Sequence, residues 1–338
     1  MKVLVTGARG FVGKAIVEKL RQNEIEVVEL QKKRLEETNI LTENVFDKFN
    51  KIKVDITKKD EVLRLETLDG IDAVIHAAGL AHQFKDIKKE KFWSVNVNGT
   101  ENISELGKLL KIKHFILISS VSVYGNNNKN NFKITGVTED SECSPEDFYA
   151  ESKLEAEKIT RRIFEGTEIN LTILRLSTVI GEEDRGNLLR LIKAIEKRRF
   201  LWIGKGINYK SLIHRDDVAG AVCKLLLKDK EREKRKETEI FNVSAEPVQM
   251  KEIVEIIART LNKKVPFVSI NEKLLRQLFN FNSKTFKNKK IEKVKQTVEK
   301  WLADDAYSAE KLKREYKYET NINIKEAIIR EVKWYLRQ

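Results

Sequence analysis

The sequence predicts an α/β fold, in which a doubly wound parallel sheet is followed by a smaller α/β C-terminal lobe. Three observations predict it. Strand-like and helix-like stretches alternate from the first residues, the strand-like runs are apolar on both faces, and three glycines follow the first run. Runs that are apolar on both faces are typical of parallel strands covered by helices on each side of the sheet.

The predicted strands follow one another in a regular order. They read "KVLVT", "EVVEL", "IKVDI", "DAVIHAA", "HFILISS" and "LTILRLS", and helical periodicity lies beside them, as in "VNGTENISELGKLLKI". The pattern weakens after Thr178, where a glycine-containing stretch, a strand candidate "EIFNVS" and several helical segments follow. We therefore expect the sheet domain over 1–178 and a smaller lobe over 179–338, with some of the later chain returning to the sheet.

Composition limits the classes of protein. A chain of 338 residues, 41% hydrophobic and 35% charged, can bury a large core. No apolar run approaches the ~20 residues that span a bilayer, and residues 1–6 form a core strand rather than a secretory signal. Cys143 and Cys223 have no ligand-like spacing. We expect a cytoplasmic protein without membrane insertion and without a metal site.

The net charge of +13 suggests a nucleic-acid partner. The excess lies in scattered segments such as "KDKEREKRKE", where acids alternate with bases, and no aromatic–basic pattern of an RNA-recognition fold is present. We expect a lysine-rich solvated surface, no nucleic-acid partner and an anionic small-molecule substrate. The alternative is a catalytically idle chain that binds RNA or a protein through this surface.

The first turn, "TGARGFVG", predicts a pyrophosphate site. It follows a strand and opens an amphipathic helix within a βαβ unit, which is the context that such a site requires. In that reading Gly7 forms the turn, Gly10 admits the pyrophosphate and Gly13 lets the helix pack on the sheet.

A serine, a tyrosine and a lysine predict proton transfer at a hydroxyl. Tyr149 and Lys153 are four residues apart at the start of a helix, so both side chains lie on one face. A phenol is a poor base at neutral pH, and a neighbouring ammonium lowers its pKa. Ser120, at the end of the fifth strand, can hydrogen-bond the same reacting oxygen. This set suits a reaction in which a hydride leaves the carbon that carries the hydroxyl.

Together these residues resemble the extended short-chain dehydrogenases/reductases, specifically the nucleotide-sugar epimerase/dehydratase branch. The likeness covers essentially the whole chain and includes, in order, "TGARGFVG", "HAAGLA", "NVNGT", "SLIHRDDVAGA", which resembles the family's IHVxDxA segment, and "FNVSAEPVQMKEIVEII". It implies an NAD(P)-binding Rossmann domain, a substrate-binding C-terminal lobe, a nucleotide-diphosphate sugar as substrate, a role in polysaccharide biosynthesis and a homodimer.

The resemblance also implies the site residues. Ser120, Tyr149 and Lys153 fall on the family's catalytic triad. The cofactor-binding residues are then Tyr149 and Lys153 again, together with Gly7, Gly10, Phe11, Val12, Gly13, Arg34, Asp55, Ile56, Ala77, Ala78, Gly79, Asn96 and Leu176. The substrate-binding residues are Ser122, Thr178, Asn187, Leu188 and Lys210, and no metal is implied.

Departures from the family pattern bear on the reaction. UDP-galactose 4-epimerases carry an aspartate for the adenosine ribose where this chain has Gln31, which is followed by Lys32, Lys33 and Arg34. A neutral residue followed by cations tolerates a 2′-phosphate, which favours NADP over NAD. The 4,6-dehydratases follow their catalytic Ser/Thr with an acidic pair, whereas Val121 and Ser122 stand here, so a dehydratase is not expected.

We therefore expect an NAD(P)-dependent enzyme that transfers a hydride at C4 of a nucleotide-linked hexose. The altered ribose position favours a 4-keto reductase that uses NADPH. A 4-epimerase of the UDP-glucose or UDP-N-acetylglucosamine type, with tightly bound NAD, remains the alternative.

Overall fold

The computed structural model describes residues 1–32, 50–81, 87–125, 136–228, 238–265, 269–270, 298–299 and 301–338. They form two compact units. The first comprises Met1–Ser177, Arg215–Val243 and Ser308–Glu319, and the second comprises Thr178–His214, Ser244–Tyr307 and Thr320–Gln338. The assignment of cofactor binding to 1–178 and of substrate binding to 179–338 stays a prediction.

The strands are short and lie between helices along most of the chain. In chain order they are β1 Lys2–Thr6, β2 Glu26–Lys32, β3 Lys51–Val54, β4 Ala73–His76, β5 His114–Ser120, β6 Asn170–Leu176, β7 Thr178–Ile180, β8 Trp202–Ile203, β9 Tyr209–Lys210, β10 Leu212–His214, β11 Glu239–Val243, β12 Val248–Gln249 and β13 Ser269–Ile270.

The α-helices carry the amphipathic stretches between these strands. In chain order they are α1 Phe11–Gln22, α2 Lys59–Leu63, α3 Lys89–Phe92, α4 Gly99–Leu109, α5 Phe148–Phe164, α6 Asn187–Glu196, α7 Arg215–Lys228, α8 Met250–Thr260, α9 Glu310–Tyr316 and α10 Ile324–Tyr335. A π-helical turn, Trp93–Asn98, joins α3 to α4, and a 3-10 turn, Val121–Tyr124, follows β5.

The first unit is built on one parallel seven-stranded sheet, ordered β11-β6-β5-β4-β1-β2-β3. The predicted fold class is confirmed. The strand order reverses between β1 and β4, and ligands of such sheets bind beyond the carboxyl ends of the strands at this point. Thr6 pairs with His76 across the two strands, so the turns that follow them lie side by side.

Helices cover the sheet because its strands are apolar on both faces. Helix α1 packs on α7, α4 packs on α5, and one core cluster includes Leu4, Val74 and Phe115 at its centre. In the second unit β7 pairs with β10, β9 with β12 and β8 with β13, while α6, α8 and α10 pack on one another.

Within the described ranges, no helix is both long and apolar enough to cross a bilayer. In the same part of the chain, no group of three or more His, Cys, Asp or Glu side chains is arranged to hold a metal ion.

Candidate active site

The glycine turn after β1 is closed by contacts that only glycine allows. Gly7 has φ +68°, and the amide of Gly10 donates to its carbonyl at 2.8 Å. A Cβ on Gly13 would lie 2.1 Å from the Gly7 carbonyl oxygen, and a Cβ on Gly7 would lie 2.7 Å from the Ala78 nitrogen. The missing side chains therefore let α1 and the loop after β4 close on the same turn.

The N-terminus of α1 presents amide groups and no acid. Gly10 is its N-cap residue, and no acidic side chain stands in its first turn. The first amides of a helix lack intrahelical partners and favour an anion. Phe11 and Val12, which were predicted on the cofactor side, begin this helix.

A chain of buried hydroxyls fixes the loop after β4. The Ala78 amide donates to Thr6 Oγ1 at 3.0 Å, and that hydroxyl lies 2.7 Å from His76 Nδ1. His76 Nε2 lies 3.0 Å from Thr100 Oγ1, which donates to the Asn96 carbonyl at 2.6 Å. These roles assign the proton to His76 Nε2 and leave Nδ1 as an acceptor.

His76 is neutral in this arrangement. Burial and the nearby charge of Lys153 lower its pKa to about 3. The ring positions residues 77–79, because it joins the ends of β1 and β4 to the segment that carries Asn96. These contacts give His76 a structural role in fixing this loop.

Asn96 joins the loop after β4 to α5. Its Oδ1 accepts from the Leu80 amide at 2.6 Å, and its Nδ2 donates to the Leu80 carbonyl at 3.1 Å and to Ser152 Oγ at 2.9 Å. Ser152 in turn donates to the Tyr149 carbonyl at 2.7 Å. Gly79 lies beside this side chain, because a Cβ there would lie 3.3 Å from Asn96 Oδ1.

The structure brings the three predicted catalytic residues to one end of the sheet. Asp147 caps α5 by accepting from the Ala150 amide at 2.9 Å, and Tyr149 and Lys153 follow on its first turns. Tyr149 is hydrogen-bonded with Ser120, the last residue of β5. Lys153 Nζ donates to the Ile118 carbonyl at 2.5 Å.

The pKa values in this cluster reflect its burial. Burial raises the pKa of Tyr149, and the hydrogen bond with Ser120 opposes this rise. Burial also lowers the pKa of Lys153 to about 8, against the attraction of Glu157. The sequence-based expectation of a lowered tyrosine pKa is therefore not met by the protein groups alone, since desolvation outweighs their effect.

A buried ion pair supports α5 from below. Glu157 accepts from Arg175 Nε at 3.1 Å, from Arg175 Nη2 at 2.7 Å and from Ser119 Oγ at 2.5 Å. Ser119 belongs to β5 and Arg175 to β6, so the helix that carries Tyr149 and Lys153 is fixed to the two strands beneath it. The charges are side by side and hydrogen-bonded, which offsets their desolvation.

Other predicted cofactor residues lie along the same edge. Asp55 follows β3 and accepts through Oδ1 from the amide of Thr57 at 3.0 Å and from its hydroxyl at 2.8 Å. Ile56 packs against Gly99, where a Cβ would lie 2.9 Å from Ile56 Cδ1. Leu176 ends β6 opposite Ser120. Arg34 lies outside the described residues.

Buried polar atoms of the first unit that have no hydrogen-bond partner among the described residues include Gln31 Oε1, Ser122 Oγ, Ser177 Oγ, and Nε and Nη1 of Arg215. Gln31 is near the end of β2, and Ser122 and Ser177 follow the ends of β5 and β6. Buried polar groups in proteins are normally paired. Three of them, in Gln31, Ser122 and Ser177, lie at or just after the carboxyl ends of strands, which is where ligands of such sheets bind. Ser177 and Arg215 were not among the site residues predicted from the sequence. Gln31 was named there only as the residue that replaces the aspartate of UDP-galactose 4-epimerases.

The second unit holds the remaining predicted substrate residues. Thr178 begins β7, Asn187 and Leu188 begin α6 after Gly186, and Lys210 ends β9. Lys210 Nζ donates to Asp305 Oδ2 at 2.7 Å and to the Ala303 carbonyl at 2.8 Å. Its ammonium therefore already has an anionic partner within this unit.

Comparison with known proteins identifies the family. The model of the NAD dependent epimerase/dehydratase family matches residues 3–244, which include the glycine turn, Ser120, Tyr149 and Lys153. The chain belongs to this family. The predicted resemblance to the extended dehydrogenase/reductase group and the prediction of an enzyme are confirmed, and the family is NAD-dependent.

Named relatives include several epimerases. One relative is the N-acetyl-alpha-D-glucosaminyl-diphospho-ditrans,octacis-undecaprenol 4-epimerase of Escherichia coli O157:H7. This member of the epimerase/dehydratase family is 29% identical to it over 271 residues, which cover 78% of this chain and 73% of the relative. Its fold is similar to that of UDP-glucuronic acid 4-epimerase from Bacillus cereus in complex with NAD, with a TM-score of 0.71 and 22% identity, covering 100% of this chain and 99% of that one. The UDP-glucose 4-epimerase of Thermotoga maritima with UDP-glucose gives a TM-score of 0.72 and 18% identity over the same shares.

The residues present fit NAD. The turn formed by Gly7, Gly10 and Gly13 is closed so tightly that a Cβ on Gly7 or Gly13 would meet backbone atoms, and the acid-free N-terminus of α1 that it opens suits a pyrophosphate. Gln31 Nε2 donates to Glu29 Oε2 at 2.7 Å, which leaves Gln31 Oε1 as the unpaired acceptor. A ribose hydroxyl is a donor that such an acceptor can bind.

Proposed function

We propose that this enzyme epimerises C4 of a hexose carried on a diphosphate, with NAD held through the catalytic cycle. The observation that carries the proposal is the hydrogen-bonded pair of Ser120 and Tyr149, with Lys153 on the same helix face, at the carboxyl edge of the sheet. The cations after Gln31 favoured a 4-keto reductase in the sequence, whereas the surroundings of Gln31 in the structure support the epimerase.

The ribose position supports NAD rather than NADP. The unpaired acceptor Gln31 Oε1 offers no donor to a 2′-phosphate, which is itself an anionic acceptor, and the Glu29 carboxylate beside it adds no positive charge. A 2′-hydroxyl can donate to the same oxygen. Arg21 neutralises Glu29 at 2.8 Å and is therefore already paired. Of the cations that follow Gln31, Lys32 ends β2, and Lys33 and Arg34 lie outside the described residues.

The chain's own residues provide the proton chemistry. NAD, when bound, would supply a reversible hydride acceptor for C4. Tyr149 takes the proton of the C4 hydroxyl as that carbon becomes a carbonyl, and gives it back when the carbonyl is reduced. Ser120 hydrogen-bonds the phenol, and Lys153, held by the Ile118 carbonyl, places a positive charge that favours the phenolate.

Epimerisation also requires the keto sugar to present either face to the hydride, whereas dehydration requires an additional acid and base. Val121 and Ser122 follow Ser120, and neither can serve as a carboxylic acid. The geometry therefore supports hydride transfer out and back rather than elimination of water.

A second candidate concerns the group that carries the sugar. The E. coli relative acts on N-acetylglucosamine linked through a diphosphate to undecaprenol, and its identity to this chain, 29%, exceeds that of the two nucleotide-sugar epimerase structures, 22% and 18%. Both carriers present a sugar on a diphosphate, so the chemistry at C4 is the same. We therefore propose the C4 epimerisation for either carrier and test the two separately.

The cofactor and substrate are tested together on the full chain. The purified protein is denatured, and the released nucleotide is identified by mass spectrometry. The native protein is then incubated, without added cofactor, with UDP-glucose, UDP-N-acetylglucosamine or N-acetylglucosaminyl-diphospho-undecaprenol. Retained NAD and a C4 epimer from one of these substrates support the proposal. No epimer from these substrates, together with reduction of a UDP-4-keto-hexose that consumes one equivalent of added NADPH, would establish the reductase instead.

The proton carrier is tested by Tyr149→Phe, which removes one oxygen and keeps the ring. Loss of general acid–base catalysis lowers the rate by about 10²–10⁴-fold. The matched control is Tyr316→Phe, which removes a buried hydroxyl that donates to Glu239 at 2.8 Å, at the start of β11. We expect Lys153→Met to slow the same step and weaken NAD binding, and Ser120→Ala to have the smallest effect. A Tyr149→Phe rate above about a tenth of the parent rate contradicts the assignment.

A further inference from the structure

Arg215 occupies a position that the family pattern gives to valine. In "SLIHRDDVAGA" it stands where IHVxDxA has its V, and it begins α7 in the first unit. A valine there would only pack. An arginine adds a permanent charge and a planar set of donors.

The guanidinium of Arg215 is buried without adequate partners. Its side chain exposes 14% of its surface, and Nε and Nη1 are buried with no hydrogen bond among the described residues. The carboxylate of Asp216 lies 3.7 Å from Nε, beyond hydrogen-bond distance, and is itself half exposed. A buried charge with unpaired donors is strongly unfavourable unless a partner of opposite charge binds it.

The same guanidinium lies beside the glycine turn. Its Cζ is 5.4 Å from the centre of the Phe11 ring, and Phe11 is the first residue of α1. Helix α7 packs along α1, which places the first residues of the two helices near each other. The N-terminus of α1 and the unpaired donors of Arg215 therefore offer complementary groups to one anion.

We propose that Arg215 binds the pyrophosphate of the dinucleotide and is a binding residue that the family pattern does not contain. A diphosphate has the charge and the acceptor oxygens that satisfy a guanidinium fork. Phe11 holds the guanidinium by stacking and so positions it for this contact. The inference rests on the proposed cofactor, NAD, but not on the reaction at C4.

The test is direct binding to the full chain, stripped of nucleotide and shown to be folded. Dissociation constants for NAD, ADP, adenosine and UDP are measured by calorimetry for the parent, Arg215→Gln, Arg215→Lys and the control Arg314→Gln. Arg314 is an exposed arginine of α9, so its loss removes the same charge from the surface. Arg215→Val, which restores the family residue, serves if the glutamine variant does not fold.

We expect Arg215→Gln or Arg215→Val to weaken NAD and ADP by about 10- to 100-fold, the range for a lost charge-assisted hydrogen bond. The dissociation constants for adenosine, and those of the control variant for every ligand, should change by less than about twofold. The affinity of Arg215→Lys for NAD and ADP should lie between those of the parent and Arg215→Gln, because lysine keeps the charge but not the planar set of donors. Unchanged NAD and ADP affinity, or an equal loss for adenosine, overturns the proposal. Weakening confined to UDP assigns Arg215 to the substrate's diphosphate instead and overturns it as well. If the parent itself binds no NAD, the proposed cofactor fails, which is a different result.

Discussion

Glu331 in α10 is expected to make the protein less stable as the pH rises toward 8. It is fully buried, its Oε2 accepts from the Gly181 amide at 3.0 Å, and its Oε1 has no hydrogen-bond partner among the described residues. Burial raises the pKa of Glu331 from 4.5 to about 8, with Asp184 and Glu182 adding to the rise. The perturbation is Glu331→Gln, which is neutral at every pH and keeps an oxygen for Gly181.

The sign follows from proton counts. Between pH 4.5 and 8 the unfolded chain has lost the Glu331 proton while the folded protein retains it, so the free energy of unfolding falls as pH rises. Each pH unit is worth about 1.4 kcal/mol for one proton, so the window between 4.5 and 8 carries at most about 5 kcal/mol. Above the pKa of Glu331 in the folded protein, the free energy of unfolding no longer falls on account of this group, and the full loss of stability has occurred. The glutamine variant removes this slope.

The assay is urea unfolding of the parent and Glu331→Gln at pH 5, 6, 7 and 8. The difference between the two proteins isolates Glu331 from the other groups that titrate. We expect the variant to gain stability relative to the parent by a few kcal/mol from pH 5 to pH 8.

Glu182→Gln provides a control of opposite sign. Burial raises the pKa of Glu182, but hydrogen bonds and the Arg330 guanidinium outweigh this effect and hold the pKa below its usual value. Arg330 Nε donates to Glu182 Oε1 at 2.9 Å. Its contribution to stability is present above the unfolded pKa and is lost as the pH falls, so Glu182→Gln should destabilise most at neutral pH. A stability difference between parent and Glu331→Gln that does not change from pH 5 to pH 8 would refute the reasoning about Glu331.

Three further predictions concern packing and assembly. Gly13→Ala places a Cβ 2.1 Å from the Gly7 oxygen and should lower the free energy of unfolding by about 1–3 kcal/mol and weaken NAD binding, as denaturation and calorimetry would show; unchanged values would contradict the close approach. Glu157→Ala leaves the buried guanidinium of Arg175 without its carboxylate partner and should cost about 3–5 kcal/mol, whereas the double variant Glu157→Leu with Arg175→Met should recover most of this loss; equal losses in both variants would show that the charge is not the cause. The predicted homodimer, formed through α4 and α5, should sediment as a dimer at micromolar concentration, and a monomer at that concentration would remove the prediction.

The fold was predictable because its signals are local. Apolar runs in β1, β4, β5 and β6 indicate buried strands, and the spacing of the glycines after β1 indicates the turn. Tyr149 and Lys153 could be placed on one helix face from their spacing alone, and Ser120 from its position at a strand end. For these residues the sequence pattern and the observed positions agree.

What could not be predicted depends on partners far apart in the chain. Glu331 accepts from Gly181, and Asn96 reaches Ser152 across two helices. Periodicity gives the face on which a residue lies but not the group that it meets there. Lys210, which is predicted to bind substrate, shows the same limit, since no pattern in the sequence indicates that its ammonium is paired with Asp305.

The order of the strands has a consequence for synthesis of the chain. Strand β6 bonds to β5 on one side and to β11 on the other, and β11 ends at Val243, long after β6 ends at Leu176. Synthesis proceeds at about 5–20 residues per second, so the edge of β6 that will pair with β11 stays unpaired for several seconds before β11 has been made. The first unit is complete only when Glu319 has been made. A fragment that stops at Ser177 would lack β11, α7 and α9 and would present that edge permanently, so we expect it to aggregate rather than to fold as a separate nucleotide-binding domain.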